Sequence, residues 1–310
     1  NRVELIAAFL QGTAHDPALA DVIRRDDLGE VECALYDIQQ AGGMDFVTLL
    51  EPTGAVIRRA RGERHGDPLT DDVLVRRAIG ERRTVSGTVI LPRDRLQAEG
   101  GDLAERARFE LVATPAARPT PDTVRYDGMA VAAVVPVLDA QGQLRALLYG
   151  GNLLNRRYEI VDAIKKEVFP QEVYRGKDIG TVTIFQGDLR ISTNVTMDAG
   201  SRAVGTRLSE SVCEAVLDRG GTWAAPAFVV NDWYITAYEP IRDPDGRIIG
   251  VLYVGLLQAP FTHQLNVISA VFLAIVLGAA LASLGLLLLA NHLVLSPIRY
   301  VVSMAQKIIG

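Results

Sequence analysis

The chain has 310 residues, a formal net charge of −5, and 49% hydrophobic against 22% charged residues. Its acidic balance, without a stripe of Lys and Arg interleaved with aromatics, excludes nucleic acid as an expected partner. Cys33 and Cys213 stand alone with no CxxC or CxxCH spacing, so metal-ribbon and covalent haem chemistry are excluded; the pair reads as two buried apolar cysteines in preference to a disulfide.

Residues 1–25 are amphipathic, with Val3, Leu5, Ile6, Phe9 and Leu10 on or near one stripe, which predicts a long N-terminal helix. No initiator Met, basic stretch or apolar leader precedes it, so a first membrane helix before Asn1 and an output domain after Gly310 are expected beyond the sequence given. Residues 45–50 read as a strand that turns at 51–54 into 55–58, and residues 71–81 as a short helix. A segment rich in Pro, Arg and Glu, residues 92–127, follows; so long an insertion is either a binding loop or a surface excursion. Residues 136–151 read as a hairpin turning on Asp139 to Gly142. In residues 155–169, Tyr158, Val161, Ile164 and Val168 recur at helical steps and predict a connecting helix that packs along the chain or across a dimer. The pattern then repeats: strand 181–185, turn 186–188, strand 189–192, helix 209–218, strand 233–238 and a hairpin over 240–255.

The two late hairpins align. Pro, Asp, Gly, Leu, Tyr and Gly of residues 136–151 coincide in offset with those of PIRDPDGRIIGVLYVG at 240–255. Gly142 and Gly246 supply the positive φ that each turn needs. The pattern implies two like α+β modules of about 100 residues in tandem.

From Val267 to Ala290 the chain is apolar without a charge. About 24 helical residues rise about 36 Å, enough to cross a hydrocarbon core of about 30 Å. Lys and Arg are absent from 249–266, whereas Arg299 and Lys307 follow the span, so the C-terminal end is expected in the cytoplasm and residues 1–260 outside, across the plasma (inner) membrane. Beyond it, Ile298, Val301, Ala305 and Ile308 have the spacing of a short coiled-coil seam, and Pro297 suits the first turn of a new helix.

The stretches GTVTIFQGDLRISTNV, GSRAVGTRLS and FVVNDWYITAYEPIRDPDGRIIGVLYVG resemble the membrane-proximal module of bacterial Cache receptors. With the repeat, the single span and the Pro-containing helix, the whole chain is similar to a double Cache sensor ectodomain joined to the start of a HAMP domain. The resemblance implies an α+β fold of two tandem PAS-like Cache modules, antiparallel sheets with flanking helices, on a long N-terminal helix and followed by one transmembrane helix. It divides the chain into a helical stalk at 1–43, a membrane-distal module at 44–152, a connecting helix at 153–175, a membrane-proximal module at 176–259, the span at 266–291 and the HAMP start at 292–310. It implies extracytoplasmic small-molecule sensing and transmembrane signalling as the sensor part of a histidine kinase, with a chemotaxis receptor or another output as the alternative.

Within such a module the ligand is expected against the exposed sheet face. Strand parity puts Tyr234, Thr236 and Tyr238 on one side, opposite Trp233, Ile235 and Ala237. Arg190 and Arg202, with Thr193, are candidate contacts for a carboxylate, because a guanidinium fork engages two oxygens at once. In the first module, Ala130 to Val134 carry small groups where the second has tyrosines, leaving room for a ligand or for the insertion; Arg58, Arg59 and Arg61 offer charge there, and His65 a pH-sensitive contact or an axial ligand. The tyrosine, arginine and distal Asp series of amino-acid-binding double Cache modules is missing from the first module. No cofactor, metal or catalytic residue is expected, since His15, His65, His263 and His292 are scattered without ligand spacing. The expected partners are a small molecule, a carboxylate by preference, a second copy of the chain as homodimer, and the membrane. A dimerisation or partner-protein module without a small-molecule ligand is the remaining alternative. Replacing Gly255 or Pro260, on the path into the span, is expected to uncouple signalling while leaving binding intact.

Overall fold

The computed structural model describes residues 2–25, 27–139, 141–169, 173–174, 176–197, 200–230 and 232–309. It divides into two units, Asn1–Leu257 and Gln258–Gly310.

The first unit opens on three helices, α1 Arg2–Ala14, α2 Pro17–Arg25 and α3 Leu28–Ala41, where one long helix was expected over 1–25. The break follows from Pro17, which donates no N–H and drives the preceding residue out of helical geometry. Asp16 then caps the new start, its carboxylate accepting from Ala18 N at 2.9 Å. On α1 only Ile6, Leu10 and Ala14 are buried, while Leu5 is exposed. On α3 the buried stripe is Val31, Leu35 and Gln39. Cys33 lies off that stripe and is exposed, so the expectation of two buried cysteines holds for Cys213 alone.

The chain then lays down β1 Phe46–Leu50, β2 Val56–Arg59, α4 Val73–Glu81, β3 Val85–Leu91, α5 Arg93–Glu99, α6 Leu103–Ala107, β4 Phe109–Glu110, β5 Val124–Arg125, β6 Gly128–Leu138 and β7 Leu144–Leu153. After α7 Tyr158–Val168 come β8 Val173–Tyr174, β9 Lys177–Asp178, β10 Gly180–Gln186, β11 Leu189–Thr193, α8 Glu210–Val212 with a π turn at Cys213–Asp218, β12 Trp223–Val229, β13 Asp232–Arg242 and β14 Ile248–Leu257. Two antiparallel five-stranded sheets result, ordered β2-β1-β7-β6-β3 and β11-β10-β14-β13-β12. Each strand has its counterpart at the same place in the other sheet.

The repeated turns have the same chemistry. Asp139 Oδ1 accepts from Gln141 N at 3.0 Å and Gln143 N at 2.7 Å, and Asp243 Oδ1 from Asp245 N and Arg247 N, both at 2.9 Å. Gly142 and Gly246 close them with φ of 75° and 83°. A side-chain acceptor at the first turn position and a left-handed glycine fix the register of each long hairpin.

One apolar cluster joins the sheets, running from Leu10 and Val47 through Met129, Leu154 and Val161 to Ile184 and Ile191. Separate clusters fill the outer faces: Leu74, Val75 and Ala78 of α4 against the first sheet, and Val212, Cys213 and Val216 against the second. Inside the first of these, Arg59 of β2 is fully buried and grips Asp67 through two hydrogen bonds of 2.9 and 2.7 Å. Its Nε donates to Glu99 of α5 at 3.2 Å, and Thr48 donates to the other Glu99 oxygen at 2.7 Å.

The second unit is helical: α9 Ala259–Ala290, a π turn at Asn291–Leu295, and α10 Ser296–Ile309. Val267–Met304 is long and apolar enough to cross a membrane. A break was expected before Pro297; the helix instead continues, and the wider π turn accommodates the residue that cannot donate. Of the expected seam, Ile298 and Val301 are exposed in this chain, while the side chains of Ala305 and Ile308 lie outside the described residues.

Removing one partner from a buried ion cluster strands the others, so Arg59→Met should lower the unfolding free energy by about 3–5 kcal/mol in denaturant titration. The Arg59 hydrogen bonds hold the Asp67 carboxyl below its ordinary value. Its contribution is therefore present above the unfolded pKa of about 3.9 and lost as pH falls through the lower folded value. Asp67→Asn should flatten that acid limb of the stability curve; an unchanged limb would place the acid sensitivity elsewhere.

Candidate functional site

On β13 the side chains alternate as their types demand. Tyr234, Thr236 and Tyr238 are buried, whereas Trp233 and Ile235 are 56% and 47% exposed. The register carries the inward face across the sheet: Tyr238 lies opposite Tyr253 on β14, Tyr253 opposite Thr183 on β10, and Phe185 of β10 opposite Arg190 on β11. The rings of Tyr238 and Tyr253 approach to 4.9 Å between centroids. Over this face, between the sheet and the start of α8, lies a cavity of about 290 Å³ with Arg190, Tyr238, Thr206, Leu208 and Val212 among its walls.

One wall comes from the first half of the chain. Residues 112–115 of the insertion border the cavity. Val112 N donates to Gly205 O at 2.9 Å, Arg207 N to Thr114 Oγ1 at 3.0 Å and Glu210 N to Ala116 O at 2.8 Å. Arg118 pairs with Asp218 at the end of the π turn. Of the two readings left open for the insertion, the structure puts its middle against the second sheet, where it closes a cavity.

Arg190 is 6% exposed, and its Nε and Nη1 have no hydrogen-bond partner among the described residues. The guanidinium carbon stands 5.2 Å from the Phe185 ring centroid. Burial pulls its pKa below the ordinary value, and the neighbouring Tyr253, Tyr238 and Tyr234 partly oppose this. An arginine nonetheless stays protonated at neutral pH, so a positive charge sits in the protein without a counter-charge among the described residues. Arg207, the other cation on the wall, is occupied: Nε donates to Asp188 at 2.8 Å and Nη1 to Arg118 O at 2.6 Å.

Burial raises the phenol pKa of Tyr234, Tyr238 and Tyr253, so all three stay neutral and can donate. Tyr253 Oη is 3.0 Å from Thr181 Oγ1. It lies over Gly255, where an added Cβ would stand 2.0 Å from that oxygen and 2.7 Å from Thr181 Oγ1. Gly255 thus makes room on β14 for the Tyr253 phenol and the Thr181 hydroxyl. Burial also pushes the Cys213 thiol up to about 11, which keeps it protonated.

The other anticipated residues are dispersed. Thr193 hydrogen-bonds within the sheet, 2.5 Å from Thr183 Oγ1, and Thr236 donates to Ala225 O at 2.7 Å. Arg202 is engaged with Asp162 of α7 through bonds of 2.9 and 2.7 Å and with Thr193 O. Arg58 and Arg59 are successive strand residues and point to opposite faces. Arg58 lies 3.7 Å from Glu32, its Nε without a hydrogen-bond partner among the described residues, and Arg59 is the buried ion-pair centre already described. His65 is exposed. The room beside Ala130 to Val134 is filled by Tyr149 and by Leu96 of the insertion, with Arg95 4.9 Å over the Tyr149 ring. Tyr253, Thr181 and the insertion wall were not anticipated. The repeat did align Tyr149 with Tyr253, a signal that both point inward from the same strand position.

Residues 152–268 match the family model described as Single cache domain 3. Among solved structures, the periplasmic domain of Vibrio cholerae LuxQ is similar at 10% identity and a TM-score of 0.42, covering 82% of this chain and 92% of that one. The sensor domain of the V. cholerae histidine kinase DctB gives 11%, 0.41, 82% and 89%. The E. coli DcuS sensor domain gives 22% and 0.26 over 35% of this chain and 71% of that one. Scores this low mark distant likeness, from which no residue role is carried over. A search of curated protein sequences finds no match.

Gly255→Ala should overpack the space under the Tyr253 phenol and destabilise the fold by about 1–3 kcal/mol. Because the clash is with the Tyr253 phenol, Tyr253→Phe in the same chain should give losses that are sub-additive by at least about 0.5 kcal/mol in a double-mutant cycle. Additive losses would mean that Gly255 is not kept for the Tyr253 phenol.

Proposed function

We propose that the Cache domain over residues 152–268 senses a small anionic molecule outside the membrane and passes the event into the span, as the sensor part of a histidine kinase or chemotaxis receptor. The observation that carries this reading is Arg190, buried on the wall of a cavity with its Nε and Nη1 unpartnered among the described residues. A carboxylate fits the guanidinium fork and would neutralise the charge.

The first sheet supports the comparison from within the same chain. Arg59, on the corresponding edge strand, has Asp67 and Glu99 as internal counter-charges. The second sheet offers Arg190 no such carboxylate among the described residues, and a ligand would take that part.

Signalling follows from connectivity. Tyr253, whose ring packs 4.9 Å from that of the cavity-lining Tyr238, belongs to β14, which ends at Leu257, and α9 starts at Ala259. A ligand that favours one setting of β14 biases the start of the helix, and coupling energies of about 1–3 kcal/mol suffice for such control. In this reading residues 44–152 and 176–259 are the distal and proximal modules, residues 1–260 are extracytoplasmic, the C-terminal end is cytoplasmic, and the receptor acts as a homodimer.

The test is thermal unfolding of the full chain in detergent across organic acids, amino acids, purines and amines. An acid at a hundredfold its Kd should stabilise by about 2.7 kcal/mol, and Arg190→Gln should abolish the shift. Stabilisation by amines alone, or a shift that survives Arg190→Gln, contradicts the anion reading. Silence across every class would favour the dimerisation or partner-protein alternative.

A further inference from the structure

We infer that the ligand is a monocarboxylate with a compact apolar body, a short branched chain or a single ring. The inference rests on the anion-sensing reading and deepens it. Three features of the cavity wall carry it.

The first is the charge count. Arg190 is the one unpartnered cation among the described wall residues, since Arg207 already holds Asp188 and the Arg118 carbonyl. A second ligand carboxylate would be buried without a counter-charge, which is strongly unfavourable. The second is the lack of acid. No Asp or Glu is among the described wall residues, so an α-ammonium group would find no anionic acceptor there. The third is what the rest of the wall is made of. Val112 and Pro115 of the insertion face the cavity together with Met197, Leu208, Val212 and Val229. Such surface rewards apolar groups and offers a second carboxylate no counter-charge.

Size narrows the choice further. A volume of about 290 Å³ lies at the lower edge of the roughly 300–1,000 Å³ typical of ligand pockets. The Tyr238 phenol is a neutral donor on the same wall as Arg190, whereas the Thr206 hydroxyl there already donates to Ala203 O at 2.8 Å. The carboxylate end is therefore fixed on β11 and β13, and the apolar end on α8 and the insertion.

Calorimetric titration of the full chain in lipid nanodiscs tests this with isovalerate, benzoate, succinate, citrate, phenylalanine and benzamide. Isovalerate or benzoate should bind at least tenfold more tightly than succinate, citrate or phenylalanine, with a negative heat-capacity change from apolar burial. Benzamide, of the same shape without the charge, should bind at least tenfold more weakly than benzoate. Arg190→Gln should remove binding, and Arg190→Lys, which keeps the charge without the fork, should retain a weakened form of it. Succinate, citrate or phenylalanine bound as tightly as the monocarboxylates, and still dependent on Arg190, overturns the monocarboxylate inference while the sensing reading stands. Failure of every carboxylate with the folded wild-type chain overturns both.

Discussion

A protonated guanidinium inside a protein needs a counter-charge, and Arg190 has none among the described residues. Taking an ion out of water carries an effective penalty of several kcal/mol unless it is paired. Three tyrosines soften the environment with neutral dipoles, and the Phe185 ring lies beneath, but dipoles and a π face do not cancel a full charge. The second sheet is arranged around that deficit. Its inward strand positions carry hydroxyls, and the opposing surface stops short of the arginine, leaving a cavity.

The two sheets share a strand order and resolve the same problem differently. In the first, α5 brings Glu99 down onto Arg59, and Asp67 completes the pairing, so the face is closed. In the second, the segment that follows α6 stays at the rim. Residues 112–118 bond to Gly205, Arg207 and Glu210 and form a wall without entering. One insertion thus closes one sheet with a carboxylate and leaves an opening of defined size on the other. This also ties the halves of the chain together, since the cavity is lined by residues contributed by both.

Local chemistry made much of this legible before the structure. The Asp-to-Gly turns at 139–142 and 243–246 are set by residues within four positions of each other, and the repeat was readable from them. The inward set Tyr234, Thr236 and Tyr238 followed from strand parity alone. Pro17 and Pro297 were equally visible, yet they acted differently, because a proline ends a helix in one setting and is absorbed by a π turn in another. Cys33 was misjudged because the stalk over 1–43 was expected to be helical without its inward stripe being read, and burial on a helix depends on which stripe faces in. The arginines were the hardest. Arg59, Arg190 and Arg202 look alike in sequence, and what separates them is a partner 40 positions away for Arg59 and for Arg202 alike, on α5 and α7, and none for Arg190 among the described residues. Non-local pairing of that kind, like the destination of the insertion, is decided by the fold and not by neighbours along the chain.

The central claim is that Arg190 is held for a ligand and not for the fold. The most direct measurement is the unfolding free energy of the unliganded full chain with Arg190→Met, followed by the fluorescence of Trp223 and Trp233 on β12 and β13. Methionine keeps most of the packing and removes the charge, so the variant should be at least as stable as the parent chain, as expected where function retains a residue that stability does not favour. A loss of about 3–5 kcal/mol, the penalty for breaking a buried ion pair, would mean that Arg190 already has its counter-charge inside the protein, and the account would fail.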